Sequence, residues 1–72
     1  MSEQVDARGL SCPQPVLLTL EKLRTLTQGE LLVLVDTETS RENVSRAATS
    51  LGWQVKAVQA EGDEYRIVLQ KA

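Results

Sequence analysis

The single cysteine of this chain, Cys12, is the residue best suited to nucleophilic chemistry. It stands directly before Pro13 and an apolar run with helical spacing. Proline is accepted at the first position of a helix, because its missing N–H would have no intrahelical partner there. The sequence therefore predicts Pro13 as the first helical residue and Cys12 as the cap. Unpaired backbone N–H groups and the positive end of the helix dipole would then stabilise a thiolate at Cys12.

The predicted position of Cys12 favours reactivity over the common alternative, a buried and inert cysteine. A helix N-terminus lowers the pKa of a thiol, and depressed values in proteins are about 3.5–7.5. Pro15, in the predicted first turn, has no N–H that could compete for an anion, and it stiffens the approach to the cysteine. A thiolate exchanges with a sulfur partner without a separate base. These residues favour a carrier over an autonomous catalyst.

The residue types that are missing narrow the chemistry further. Without histidine the chain has neither a Cys-His pair nor a histidine general base. One cysteine without histidine also excludes the common structural zinc sets within one chain. The four glycines stand singly between predicted elements, so no glycine-rich phosphate motif is present. No cofactor motif is evident in the sequence.

Length and composition indicate one small domain, residues 1–72. The apolar fraction of 42% and charged fraction of 25% are typical of a soluble globular protein. A net charge of -2 argues against direct nucleic-acid binding. The sequence shows neither a signal peptide nor an apolar run near the roughly 20 residues that span a bilayer. A lone free cysteine favours the reducing cytoplasm.

The first half of the chain predicts the elements around Cys12. Alternating residues indicate a strand over Glu3–Arg8, followed by a turn at Gly9 to Ser11. A helix is predicted from Pro13 to about Thr27. Its apolar face is expected to contain Val16, Leu20 and Leu23, with Leu17 and Leu26 at the flanks and Leu18 on the opposite side.

The second half predicts a strand, a helix and a hairpin. Leu31–Val35 is a continuous apolar run closed by Asp36, which indicates a central strand. A second helix is predicted with Thr39 or Ser40 as N-cap and Gly52 as stop. Its apolar residues are Val44, Ala47, Ala48 and Leu51. Strands over Trp53–Ala60 and Glu64–Lys71 enclose the turn Glu61-Gly62-Asp63, and Trp53 is expected in the core.

The element order β-α-β-α-β-β predicts an α/β (α+β) two-layer sandwich. Strand–helix–strand crossovers are right-handed, which places both helices on one face of a four-stranded mixed sheet. The other face of the sheet would be partly open to solvent or to a partner.

The segment around the cysteine resembles a known family signature. Asp6-Ala7-Arg8-Gly9-Leu10 and then Cys12-Pro13-Gln14-Pro15-Val16 resemble the motif region of the TusA/SirA/YedF family of small sulfur-carrier proteins. The defining Cys-Pro-x-Pro motif is intact at Cys12, Pro13 and Pro15. The resemblance continues through Gly29-Glu30, Asp36 and the closing hairpin. The stretch Glu42 to Arg46 is most similar to the YedF-like branch, some members of which are associated with selenium metabolism.

The resemblance implies a function and partners. In the family, the motif cysteine takes persulfide sulfur from a cysteine desulfurase or another donor and passes it to an acceptor protein. Downstream routes include tRNA thiolation, molybdenum-cofactor assembly and sulfur oxidation. Carried onto this chain, Cys12 holds the persulfide, while Pro13 and Pro15 shape the helix start. The family fold is the same two-layer sandwich, and its members need no metal or organic cofactor.

Four other residues have candidate roles, each with a simpler alternative. Arg8 could add positive potential near the Cys12 sulfur or be a solvated strand-end residue. Arg41 and Arg46 could form a docking patch for an acidic partner or simply be solvated. Leu18 could contact a partner, although single exposed leucines are ordinary. The alternative function is a non-catalytic adaptor or regulatory binding module in sulfur or selenium metabolism; RNA binding is disfavoured by the net charge.

Overall fold

The computed structural model describes residues 2–10, 14–26 and 28–71 of the chain. The elements occur in the predicted order: β1 Ser2–Asp6, α1 Gln14–Thr25, β2 Gly29–Val35, α2 Glu38–Ser50, β3 Gln54–Glu61 and β4 Glu64–Lys71. Within these ranges no helix combines the length and the apolar character needed to cross a membrane. Pro13, the predicted first helical residue, and Thr27, the predicted last one, lie outside the described residues.

The four strands form one mixed sheet in the order β1-β2-β4-β3, which confirms the predicted architecture. Strands β1 and β2 are parallel, and β4 is antiparallel to both β2 and β3. Because β1 and β2 are parallel, their carboxyl ends lie at the same edge of the sheet. The chain after β1, which leads toward Cys12 in the sequence, begins at this edge.

One face of the sheet carries the core. The buried side chains on alternate positions of the two central strands are Leu31, Val33, Val35, Ile67 and Leu69. They form a cluster with Leu23 from α1 and with Val44 and Ala48 from α2. Since one face of the sheet meets both helices, the structure has the two layers that the sequence predicts.

One apolar residue on the sheet face away from the helices, Leu34, is buried between charged neighbours. Leu34 points to this face, because Val33 and Val35 point into the core. It is nevertheless only 7% exposed. Its neighbours across the strands are Asp6 and Arg66. Leu34 is therefore shielded on this face, while its neighbours Asp6 and Arg66 are exposed.

Strand β3 contains a β-bulge that the alternating sequence pattern does not reveal. Val55 pairs with Leu69, but the next paired residue, Ala57, lies opposite Val68. Val58 pairs with Ile67 but is 40% exposed, whereas Ala57 is half-buried. The bulge therefore interrupts the regular pairing of β3 without burying Val58. Trp53 precedes β3 and is buried, which confirms its place in the core.

The buried stripe of α1 differs from the predicted one. The buried residues are Pro15, Thr19 and Leu23, four residues apart. Thr19 can be buried because its hydroxyl donates to the carbonyl oxygen of Pro15 at 2.8 Å, within the same helix. Because threonine is a polar residue, Thr19 was not included in the predicted apolar face. The predicted face is therefore rotated about the helix axis relative to the buried stripe. Leu17, predicted at the flank, is 52% exposed.

Helix α2 begins earlier than predicted. Its N-cap is Thr37, with extended backbone angles of φ -137° and ψ 152°, and its side chain accepts a hydrogen bond from the Ser40 N–H at 3.1 Å. The predicted caps Thr39 and Ser40 were wrong, since both already lie in the helix. Thr37 is the N-cap because its extended conformation brings its hydroxyl oxygen to the otherwise unpaired N–H of Ser40.

Helix α2 ends at the predicted glycine. Gly52 has a φ of +87°, which suits a residue without Cβ. Its N–H donates to the Thr49 carbonyl and the Trp53 N–H to the Ala48 carbonyl, each at 3.0 Å. These two bonds form a Schellman motif. The packing of Trp53 and Ala48 in one core cluster supplies the hydrophobic contact that accompanies such an end.

Candidate functional site

The described residues on both sides of the Cys-Pro-x-Pro motif locate its ends. Cys12 and Pro13 lie outside the described residues, whereas Arg8 and Pro15 lie within them. Gly9 and Leu10 lead into the motif after β1, and the last two motif residues, Gln14 and Pro15, are the first two residues of α1. The motif therefore lies between the carboxyl end of β1 and the first turn of α1.

Two hydrogen bonds hold the segment that leads into the motif. The Ala7 N–H donates to the Leu34 carbonyl oxygen at 2.8 Å. Two residues later, the Gly9 N–H donates to the Asp36 carboxylate oxygen Oδ2 at 2.7 Å. Gly9 has a φ of +79°, a conformation that a residue with a Cβ adopts only with strain. The chain is thus attached to the end of β2 up to three residues before Cys12.

Packing holds the segment that follows the cysteine. Pro15 is fully buried, and its carbonyl oxygen accepts the hydrogen bond from the buried Thr19 hydroxyl. A proline in the first turn also fixes φ near the helical value. Pro15 thereby acts as a rigid, buried support for the start of α1.

The start of α1 keeps its positive dipole end free of acidic side chains. The first turn of the helix as described contains no acidic residue, while the last turn contains Lys22 and Arg24. In α2, by contrast, the N-terminus has Glu38 in its first turn and is capped by Thr37. A carboxylate at a helix N-terminus partly neutralises the dipole. Of the two helices, α1 is therefore the one whose first turn has no carboxylate that would compete with an external anion.

Arg8 is held by two carboxylates. Its guanidinium donates to both oxygens of Asp6, at 2.9 and 2.8 Å, and also to Glu64 at 3.2 Å. These hydrogen bonds, together with one from the Arg8 backbone N–H, lower the pKa of Asp6 from 3.8 to about 2. The same contacts, with Asp6 first, raise the pKa of Arg8. Because two carboxylates offset one guanidinium, Arg8 serves to join β1 to β4; its effect on the Cys12 sulfur stays a prediction.

Exposed apolar side chains lie on both sides of the motif. Leu10, two residues before Cys12, is 36% exposed, and Leu17, five residues after it, is 52% exposed. Leu18, the predicted partner contact, instead packs against the core. The prediction that Leu18 lies on the side opposite the apolar face was wrong, because the buried stripe contains Thr19 and is centred elsewhere.

The two arginines of α2 have different surroundings. Arg41 forms ion pairs with Glu38 at 3.5 Å and Glu42 at 3.8 Å, and its guanidinium carbon lies 5.6 Å from the centre of the Tyr65 ring. This is within the range of a cation–π contact. Arg46 is exposed. A shared docking patch of these two residues stays a prediction, and the positive charge of Arg41 is already engaged within the protein.

Three features of this region were not predicted from the sequence. They are the burial of Thr19, the contact of Glu64 with Arg8, and the hydrogen bond that Asp36 accepts from Gly9. Asp36 could have been found, because it closes a strand that is parallel to β1 and therefore lies at the same sheet edge. Glu64 meets Arg8 across 56 residues of sequence, and only the strand order brings them together. In the part of the chain that the structure describes, no three or more carboxylate or other ligating side chains are grouped to hold a metal ion.

Comparison with known proteins identifies the family. The model of the family described as "Sulfurtransferase TusA" matches residues 3–71. This chain belongs to the TusA family. One relative, from Pseudomonas syringae pv. syringae (strain B728a), is named "Sulfur carrier protein TusA"; it is 35% identical over 69 residues, which are 94% of this chain and 82% of the relative.

A solved structure supports the fold of this TusA-family chain. The crystal structure of a SirA-like protein from Desulfitobacterium hafniense matches with a TM-score of 0.87 and 28% identity, over 97% of each chain. The resemblance to the TusA/SirA group is therefore confirmed over nearly the whole sequence. The more specific similarity to the YedF-like branch stays a prediction.

Proposed function

We propose that this TusA-family chain, acting as one domain over residues 1–72 in the reducing cytoplasm, is a sulfur carrier. Cys12 accepts sulfane sulfur as a persulfide and passes it to an acceptor protein. The observation that carries the proposal is the family match over residues 3–71, with the chain's single cysteine inside its motif. The uncompensated N-terminus of α1 supplies a physical reason, because it favours an anionic sulfur.

The transfer needs no base and no cofactor. The Cys12 thiolate attacks the outer sulfur of a donor persulfide, a new S–S bond forms, and the donor's S–S bond breaks. The donor cysteine leaves as a thiolate, so that the charge is conserved and the sulfane sulfur keeps its oxidation state. The same exchange in the forward direction delivers the sulfur to the thiolate of an acceptor protein. A cysteine desulfurase is the proposed donor.

The anchored ends of the motif suit a carrier that must meet two different partners. The bond of Gly9 to Asp36 and the burial of Pro15 keep the flanking segments in place without a partner. Flanking segments that are already held in place lose less conformational entropy when a partner docks. The exposed side chains of Leu10 and Leu17 offer apolar contact on both sides of the motif.

Intact-mass measurement tests the proposal. After incubation with a cysteine desulfurase and free cysteine, the wild-type protein should gain the mass of one sulfur atom, which cyanide should remove as thiocyanate. Cys12→Ser should gain nothing, and since Cys12 is the only cysteine, no other thiol can contribute. The matched control combines Ser11→Cys with Cys12→Ser. It keeps one thiol in the motif region but moves it by one position, and it should load sulfur more slowly.

Complementation separates the carrier from the adaptor. Where deletion of the encoding gene has a phenotype, Cys12→Ser should fail to restore the wild-type behaviour if the protein carries sulfur. Full restoration by Cys12→Ser, or a wild-type mass that does not change with several desulfurases, would contradict the carrier function. A non-catalytic adaptor would then remain.

A further inference from the structure

We propose that Asp36 is a positioning residue for the motif cysteine. Its carboxylate holds the Gly9 turn and thereby sets where the chain enters the Cys-Pro-x-Pro segment. This inference rests on the proposed function, because it concerns the orientation of Cys12 for sulfur exchange. It assigns to Asp36 a role that neither the motif nor the family resemblance contains.

The carboxylate of Asp36 replaces a missing backbone partner. In a parallel ladder, N–H groups two residues apart on one strand donate to carbonyl groups two residues apart on the next. The Ala7 N–H donates to the Leu34 carbonyl at 2.8 Å, so the ladder would next join the Gly9 N–H to the Asp36 carbonyl. The structure instead joins the Gly9 N–H to the Asp36 side chain at 2.7 Å.

The chain that follows Asp36 explains why the side chain, and not the backbone carbonyl, accepts this hydrogen bond. At Thr37 the chain already begins α2, and the Thr37 carbonyl accepts the first helical bond from the Arg41 N–H at 3.0 Å. The side chain of Asp36 extends the β1–β2 pairing by one more bond beyond the last paired residues. An ionised acceptor makes this bond stronger than a neutral one would.

This bond determines how close to Cys12 the chain is held by the end of β2. With it, the anchored chain ends at Gly9, three residues before Cys12; without it, the last anchor is Ala7. The downstream anchor, Pro15, is unaffected because it depends on burial and on Thr19. Loss of the carboxylate therefore moves the last described hydrogen bond before the motif from Gly9 back to Ala7, and leaves the contacts of Pro15 in place. Small misplacements of a reacting group can slow a reaction by about 100-fold.

Three substitutions separate the geometry of Asp36 from its charge. Asp36→Ala removes the acceptor, Asp36→Asn keeps an acceptor oxygen at the same distance from the backbone, and Asp36→Glu keeps the charge but moves it by one methylene. We expect sulfur loading from a desulfurase to fall by about tenfold in Asp36→Ala, a modest part of what misplacement can cost. Asp36→Asn should restore most of the rate, and Asp36→Glu should restore less.

The thiol itself supplies a readout that a merely structural role would not move. Because Cys12 is the only cysteine, its alkylation by iodoacetamide over a pH series reports one pKa. Loss of position relative to the α1 N-terminus should raise the thiol pKa in Asp36→Ala toward the ordinary value of about 8.5. Removal of a nearby negative charge alone would lower it. The direction of the shift therefore distinguishes the two effects, with the Arg8, Asp6 and Glu64 cluster unchanged in every variant.

The matched control is Asp63→Ala, since Asp63 is an exposed aspartate in the β3–β4 turn. It should leave the loading rate and the thiol pKa unchanged. Folded Asp36→Ala protein with wild-type loading and an unchanged or lowered thiol pKa overturns the inference. If Asp36→Ala does not fold, loading by Asp36→Glu at or above the Asp36→Asn rate overturns it. If the wild type loads no sulfur, the proposed function fails, and the alkylation series still decides the role of Asp36.

Discussion

The burial of Thr19 leads to a prediction about which of its atoms stabilises α1. The side chain is fully buried, and its hydroxyl donates to the Pro15 carbonyl oxygen at 2.8 Å. In an α-helix the same carbonyl is the regular partner of the N–H four residues later, which here belongs to Thr19. Removal of the hydroxyl therefore leaves no unpaired acceptor. The γ-methyl group, in contrast, has no replacement if it is removed.

The expected changes in the free energy of unfolding rank three variants of Thr19. Thr19→Val loses a hydrogen bond with a net value of about 1 kcal/mol and gains a buried methyl group worth about 0.8 kcal/mol. It should therefore stay within about 0.5 kcal/mol of the wild type. Thr19→Ser keeps the hydroxyl but removes the methyl group, which costs about 1 kcal/mol including the small cavity. Thr19→Ala removes both groups and should cost about 1.5–2 kcal/mol.

Urea unfolding measures this series. Trp53 is the only tryptophan and is buried, so its fluorescence reports the loss of the core. The free energies of unfolding should fall in the order wild type, Val, Ser, Ala, with equal m-values. The reasoning is refuted if Thr19→Val is less stable than Thr19→Ser. The hydroxyl group would then stabilise the protein more than the methyl group does, although the Pro15 carbonyl keeps its backbone partner without it.

Three further predictions concern the caps and the ion pair beside the motif. Thr37→Ala should lower the free energy of unfolding by about 1 kcal/mol, and Thr37→Ser should restore it; equal stability of the Ala variant would contradict the assigned cap. Gly52→Ala should cost about 1 kcal/mol because of the left-handed backbone, with a smaller loss for Gly52→Asn in the same urea assay. Arg8→Ala should raise the pKa of Asp6 from about 2 toward 3.8 in a carboxyl-carbon NMR titration. Since the folded-state pKa is depressed, the pair stabilises the wild type fully above pH 3.8 and loses this effect as the pH falls through about 2; a stability difference from Arg8→Ala that persists below that pH would contradict this assignment.

Periodicity predicted the elements well where packing follows hydrophobicity. The apolar run Leu31–Val35 became the centre of β2, and Gly52 ended α2 as expected. Predictions were wrong where a polar side chain satisfied its own hydrogen bond in the helix. Thr19 is such a residue, and its burial moved the inner face of α1 away from Leu17 and toward Leu18. The bulge in β3 was missed because one inserted residue leaves no mark on the local composition.

The sequence alone determined the order of the elements and the candidate nucleophile. Both depend on local information: the spacing of apolar residues, the glycines between elements, and a single cysteine before two prolines. The tertiary structure alone decided how the ends of the motif segment are held. Gly9 and Asp36 are 27 residues apart, and Arg8 and Glu64 are 56 apart. These pairs meet because β1 is parallel to β2 and β4 lies beside β2, and the order of strands in a sheet depends on contacts between segments that are distant in the sequence.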